Sequence, residues 1–272
     1  MRRLWIGISP CPNDTFAFHA LLERRIEVPG FELAFELCDI EELNRRFLAG
    51  EFDACKVSCA ALGGRPQLRV LATGAALGFG VGPLLVAAPG VALERGSDGW
   101  PLVPTNARVL CPGSHTSASL LYRHFHAGEG RVEQVVFSQI LPRLAAREAD
   151  YGVCIHEGRF TYAGLGLAQV EDLGARWEER EGVPLPLGGI AVQPRLAESD
   201  ARALERAIGL SIDYAHTHRD EALVTMRRHA QESSDEVLWK HVELYVNRWT
   251  RELGPDGARA LARLRELAAQ LP

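Results

Sequence analysis

Residues 144–157 read LAAREADYGVCIHE, and residues 47–59 read FLAGEFDACKVSC. Each runs from the end of a helix through an acid to an aspartate, Asp150 in one and Asp53 in the other. Each then enters a short apolar strand that ends in polar residues. One helix–turn–strand match of this kind is weak, because such units are common. This pair falls once in each of two successive α/β series, which implies two similar lobes facing each other across a cleft.

The first series opens with LWIGIS (4–9) as a strand, and the turn formers PCPND lead into a helix, FAFHALLERR, with Phe18, Leu21 and Leu22 at helical spacing. FELAFELC (31–38) alternates like a strand. Asp39 and Glu42 are placed as a capping box for a helix whose Ile40, Leu43 and Phe47 share a face and whose Gly50 can end it. RVLAT (69–73) and GPLLVAA (82–88) follow as strands, and residues 94–106 (ERGSDGWPLVPTN) are a loop by composition. The second series is RVLCP, SASLLYRHF, VEQVVF, ILPRLAARE and YGVCI, alternating strand and helix. From about Ser199 the pattern is helical. Ser233 and Glu236 cap one helix, whose Leu238, His241, Val242, Tyr245 and Trp249 form a stripe, with His241 read as a core-flanking residue. Strands alternating with helices across short turns predict an α/β fold.

The 272 residues are 47% hydrophobic and 24% charged, enough for one large or two modest domains. A net charge of −5 with mixed signs offers no basic stripe for nucleic acid. No apolar run reaches the roughly 18 residues a membrane span needs, and LWIGI is too short for a signal-peptide core. Cys11, Cys38, Cys55, Cys59, Cys111 and Cys154 are scattered without a Cys-x-x-Cys pair, so they read as buried thiols of a cytoplasmic protein. There is no Walker loop, and GFGVG (78–82) spaces its glycines wrongly for a dinucleotide. G-x-S-x-G and H-E-x-x-H are absent. His124 with His126, and His216 with His218, lie two apart on helices and point away from each other. No metal and no cofactor are therefore expected, and the expected partner is a small molecule, with the oligomeric state open.

In open α/β sheets ligands collect at the carboxyl ends of strands. Those ends carry Ser9 with Asn13–Thr15, Lys56 with Ser58, and Gly113 through Ser117. Ser114, Thr116 and Ser117 sit at a helix start whose free N–H groups suit an anion, or serve as plain N-caps. Lys56 lies within an otherwise apolar or small stretch, which implies a partner for its charge.

SPCPNDTFAF (9–18), Lys56-x-Ser58, GVGPLLV (80–86), GSHTS (113–117) and above all IHEGRFTY (155–162) resemble 1,4-dihydroxy-6-naphthoate synthase of the futalosine route to menaquinone. The resemblance extends to WEER with LPLGGI (177–190) and to SDEVLWKHVELYVN (234–247), so it covers nearly the whole chain. The 94–106 loop departs from it by its length. The resemblance implies a two-lobed fold like the type II periplasmic binding proteins, with C-terminal helices. One lobe would be residues 1–84 plus 191–272 and the other residues 85–190, with crossings near Gly82–Ala88 and Pro186–Val192. It implies a cofactor-independent lyase that converts cyclic dehypoxanthinyl futalosine to 1,4-dihydroxy-6-naphthoate with release of a three-carbon sugar fragment. The histidine of the IHE motif, His156, would be the proton acceptor. Substrate contacts would fall on Lys56, Val57 and Ser58 and on Ser117 and Ala118, with Thr116, Ser9 and Asn13 beside them. An imidazole with its ordinary pKa near 6.5 is a neutral base at cytoplasmic pH. Glu157 and Arg159 are expected in an ion pair or turn. The rival readings are a chorismate dehydratase-like enzyme of the same pathway and a non-catalytic small-anion binder of the same fold.

Overall fold

A computed structural model describes residues 2–230 and 234–271. The chain starts with β1 (Arg2–Ile8), α1 (Pro12–Ala17), α2 (His19–Leu22), β2 (Phe31–Leu37), α3 (Ile40–Leu48), β3 (Ala54–Ser58), β4 (Arg69–Val70) and β5 (Ala76–Gly78). It crosses to a second sheet through β6 (Leu84–Ala87), makes a two-stranded ribbon of β7 (Glu94–Arg95) and β8 (Pro101–Leu102), and continues with β9 (Arg108–Cys111), α4 (Ser117–Phe125), β10 (Arg131–Gln134), α5 (Phe137–Ala145), β11 (Tyr151–Cys154), α6 (Gly158–Thr161), β12 (Ala168–Asp172) and α7 (Leu173–Glu181). It returns through β13 (Leu185–Val192) and ends in α8 (Glu198–Thr217), α9 (Arg219–His229), α10 (Asp235–Tyr245), α11 (Arg248–Arg251) and α12 (Gly254–Gln270).

The two sheets share one topology. The first runs β2-β1-β3-β13-β4, with β5 also on β13, and the second runs β10-β9-β11-β6-β12. In each, three parallel strands are followed by one antiparallel strand that has arrived from the other sheet. The quoted echo marks this repeat. Asp53 Oδ2 accepts from Trp5 N on β1 at 3.0 Å, and Asp150 Oδ2 accepts from Arg108 N on β9 at 2.7 Å. Gly50 and Arg147, three residues before each aspartate, end their helices at φ +83° and +59°. Arg46 joins Glu36 on β2 to Glu51, and Arg143 joins Glu133 on β10 to Glu148, in the same relation.

Local chemistry explains most boundaries. Asp39 accepts from Glu41 N and starts α3, whose Leu43 and Phe47 pack with Phe52 and Val57 beneath the first sheet. Leu4, Ile6 and Ile8 on β1 pack on the other face with Phe18, Leu204 and Ile208. Ile140 and Leu144 of α5 cover Leu84, Val86 and Leu110 of the second sheet. All six cysteines are free, and all but Cys38 are buried.

Several sequence expectations shift. The PCPND stretch is not a leading loop, because Pro12 starts α1, the helix position where its missing N–H costs nothing. Residues 185–190 run in the first sheet, since β13 pairs with β3 from Gly188 to Val192. The return crossing therefore lies between Asp172 and Leu185 instead of at Pro186–Val192. The 94–106 loop contains the β7–β8 ribbon. Ser233 lies outside the described residues. Among the described residues, no helix is long and apolar enough to cross a membrane.

At the outgoing crossing two backbones touch. A Cβ on Gly82 would stand 2.2 Å from Gly174 Cα, and one on Gly174 would stand 2.4 Å from Gly82 Cα. Asp172 fixes this contact, its Oδ1 accepting from Gly174 N and Ala175 N while Oδ2 pairs with Arg159. Backbone cannot rotate away as a side chain can. Gly82→Ala is therefore expected to destabilise by about 2–3 kcal/mol or to prevent folding, near the upper end of overpacking costs. Gly164→Ala, where a Cβ meets nothing within 4 Å, is the neutral control. Equal melting temperatures for the two variants would contradict the close approach.

Candidate active site

The loop after β1 and the start of α1 build one wall of the cleft between the sheets. Asp14 is buried there and takes donors on both oxygens. Ser9 Oγ donates to Oδ2 at 2.7 Å and Ser9 N at 3.3 Å, while Asn13 Nδ2 donates to Oδ1 at 2.8 Å. Lys56, on β3, puts its Nζ 2.6 Å from Asp14 Oδ1 and donates to Gly74 O at 3.0 Å. The implied partner of Lys56 is thus an internal carboxylate. Two of its three N–H groups are engaged, and the third has no partner among the described residues.

His156 comes from the opposite sheet. β11 stops at Cys154, and His156 takes φ +54° in the turn before α6. Arg24 and Arg147, the other non-glycine residues at positive φ among those described, follow helix ends, whereas His156 follows a strand. Such backbone strain in a bulky residue is retained where the surroundings hold it, and it clusters at functional sites. Here the ring packs against Phe137 with centroids 4.6 Å apart, and Nδ1 lies 3.3 Å from Cys11 Sγ across the cleft. Nε2 is inaccessible and has no partner among the described residues. Burial pushes this imidazole down to about 4, with Lys56 adding to the depression and Asp14 opposing it. The residue as a whole is partly open to the cleft.

His241 on α10 is not merely core-flanking. It lies at the bottom of the cleft with its ring 6.4 Å from that of His156 and tilted only 13° from it. Burial pushes its pKa well down, with the neighbouring His156 and Lys56 adding to this. The Nε2 of His241 is 2.8 Å from Asn13 Oδ1, and its Nδ1 is buried without a partner among the described residues.

The remaining candidates divide. Ser9, Asn13, Lys56, Ser58, Thr116, Ser117, Ala118 and His156 all line one cavity, together with Asp14, His241 and Tyr245. Val57 does not; its side chain is fully buried under the first sheet. Ser58 is held by Asn44, whose Oδ1 accepts from its N at 2.7 Å. Thr116 is the N-cap of α4, accepting from Ser119 N at 3.1 Å. Ser117 Oγ donates to Leu187 O on β13 at 2.9 Å, joining the two sheets. The loop before α4 already holds an anion: Glu41 of α3 accepts from His115 N at 3.1 Å and lies 2.6 Å from His115 Nδ1. Arg159 pairs with Asp172 at 2.9 Å rather than with Glu157, because the strand ends before both.

Sequence reasoning missed Cys11 and His241, and named Asp14 only within the Asn13–Thr15 stretch, without a role. Asp14 and Cys11 sat inside a quoted motif as apparent turn formers. His241 matched the apolar stripe of its helix, so its spacing concealed it.

The cavity encloses about 640 Å³ of empty space, including its open mouth. Cys11, His156 and Glu157 offer ligand atoms all within 4.8 Å of one another, the one group of such residues that fits a metal among those described. Burial drives the Cys11 thiol well up, so it stands as a neutral S–H against the imidazole.

A family model described as menaquinone biosynthesis matches residues 4–270. A 1,4-dihydroxy-6-naphthoate synthase of Thermus thermophilus is 47% identical over 100% of this chain and 98% of its own. A crystal structure of an Archaeoglobus fulgidus protein superposes with TM-score 0.87 at 29% identity, covering 98% of this chain and 97% of that one. The periplasmic aliphatic sulphonate-binding protein of Escherichia coli shares the fold at TM-score 0.66 and 12% identity, over 100% of this chain and 86% of its own.

A depressed histidine pKa has a thermodynamic consequence. The unfolded chain binds a proton at His156 near pH 6.5, but the folded one does so only near pH 4. Stability is therefore fully present above pH 6.5 and is lost as pH falls from there toward 4. NMR titration of the His156 ring should show a neutral imidazole throughout that window, with its midpoint near 4. A midpoint at 6.5 would mean that the ring is hydrated.

Proposed function

The chain belongs to the menaquinone-biosynthesis family and groups with its 1,4-dihydroxy-6-naphthoate synthases, and from that premise we propose that it converts cyclic dehypoxanthinyl futalosine to 1,4-dihydroxy-6-naphthoate in the cytoplasm. A three-carbon sugar fragment leaves, and His156 is the base. The observation that carries this reading is that His156 lines the cavity while its Nε2 has no partner among the described residues. A buried acceptor without a partner is costly in a structural histidine. It is what a proton acceptor needs before substrate arrives.

Nε2 takes a proton from the substrate, the bond to the three-carbon fragment breaks, and the bonding electrons stay with the ring system that becomes aromatic. The imidazolium then returns the proton, so the reaction is redox-neutral and needs no cofactor. For Nε2 to be bare, Nδ1 must carry the ring proton and donate to Cys11 Sγ, 3.3 Å away. Cys11 is thus a positioning residue that selects the tautomer. The free N–H of Lys56 and the hydroxyls near the start of α4 are suited to the substrate's polar groups. Residues 1–84 with the C-terminal segment and the middle segment act as two lobes. They open to admit the ligand and close to exclude water.

Purified enzyme, desalted after chelator treatment, should convert cyclic dehypoxanthinyl futalosine and leave chorismate unchanged. Turnover restored only by added metal would assign Cys11, His156 and Glu157 to an ion instead. His156→Asn keeps the approximate shape without the acceptor and should lower kcat by about 10²–10⁴ with little change in KM. The acid limb of wild-type kcat/KM should fall below pH 5, because protonation removes the base only near 4. Cys11→Ala should lower kcat more than Cys11→Ser, which keeps an acceptor for Nδ1. Near-normal turnover in His156→Asn would end this assignment.

A further inference from the structure

The Asp14 carboxylate sets a proton position two residues away. An amide oxygen turned toward it would repel it, so the Asn13 NH₂ must face Asp14, as the 2.8 Å bond to Oδ1 has it. Asn13 Oδ1 then faces His241 Nε2 at 2.8 Å. A carbonyl oxygen only accepts, so Nε2 carries the proton. Burial keeps the ring neutral, and a neutral imidazole has one N–H. The Nδ1 of His241 is therefore a bare lone pair, buried and unpartnered among the described residues, in the ring that lines the cavity beside His156.

Nothing in the packing asks for this atom. Tyr245 is 4.5 Å away between ring centroids and Phe160 is 6.5 Å away, contacts that a phenylalanine at 241 would make equally well. A leucine at 13 would likewise fill the wall without Asp14, Asn13 and His241 in series. What the series achieves is a hydrogen-bond acceptor of fixed tautomer, in a ring that lines the cavity.

We propose that His241 is a substrate-binding residue whose Nδ1 accepts a hydrogen bond from a hydroxyl of the fused-ring ligand, positioned by Asn13 and Asp14. The inference rests on the naphthoate reading above and names the residue that reads the ring hydroxyl. A phenolic O–H is a stronger donor than water, and its acceptor here is already desolvated. His241 thereby separates a hydroxylated ring from a bare one, while His156 does the proton transfer.

The test is a cycle between protein and ligand. Dissociation constants are measured for 1,4-dihydroxy-6-naphthoate and for naphthalene-2-carboxylate, which lacks both hydroxyls, with wild type and with His241→Phe. Wild type should favour the hydroxylated ligand by about tenfold to a hundredfold, the ratio expected where an unmade bond leaves a buried acceptor alone. His241→Phe should lose most of that preference while binding naphthalene-2-carboxylate about as wild type does. Equal weakening of both ligands would make His241 a packing residue and overturn the proposal. If neither ligand binds wild type, the functional reading falls first and the hydroxyl contact with it. A second measurement needs no variant: ¹⁵N NMR should find His241 protonated on Nε2, with the bare Nδ1 resonance shifting upon addition of 1,4-dihydroxy-6-naphthoate and not of naphthalene-2-carboxylate. A proton on Nδ1 in the free protein would likewise overturn it.

Discussion

One buried carboxylate organises the site. Asp14 receives Ser9 twice, Asn13 and Lys56, and each of those bonds settles something further. Ser9 pins the end of β1 to the start of α1. Asn13 is turned so that its oxygen meets His241. Lys56 is drawn along the wall of the cavity and locked to Gly74 O. Removing one partner from a buried ion pair typically costs about 3–5 kcal/mol, because the other charge stays behind in a dry place. Folding of this wall and the chemistry it presents therefore depend on the same contact.

The second constraint is that the opposite wall brings His156. His156 belongs to the second sheet, while Cys11, Asp14, Lys56 and His241 belong to elements packed on the first. Cys11 reaches His156 across the cleft, Ser117 reaches Leu187, and Glu41 reaches His115. Contacts from both walls thus bury the imidazole and orient it.

The α/β class, the paired series and most strands were legible because they depend on local pattern. The equivalence of Asp53 and Asp150 could be read directly, since each aspartate does its work on a neighbouring parallel strand at fixed spacing. The position of β13 was less legible. An uncharged run such as LPLGGIAV is compatible with a crossing or a strand, and pairing with β3, some 130 residues earlier in the chain, decides between them. The site was half legible. Ser9, Asn13, Lys56 and His156 were visible as polar interruptions at strand ends. His241 was hidden by a helical stripe that obeys the apolar rule, and a buried histidine in such a stripe looks like packing until Asn13 is seen opposite it. Cys11 has no local signature, because its meaning comes from a residue 145 positions away.

The repeat also explains why the chemistry sits where it does. Counting from the two aspartates, Lys56 matches Val153, and Cys59 matches His156. In the first copy the strand runs on through Ser58, and a short helical turn, Cys59–Leu62, continues along the cleft. In the second copy the strand stops at Cys154, and the left-handed turn at His156 rotates the imidazole inward. Two copies of one scaffold thus meet face to face with different endings, a lysine held by a carboxylate on one side and a strained histidine on the other. Identical endings would have set two like groups against each other across the cleft. The divergence at these few positions sets a strained histidine and a carboxylate-held lysine at distinct places around one cavity.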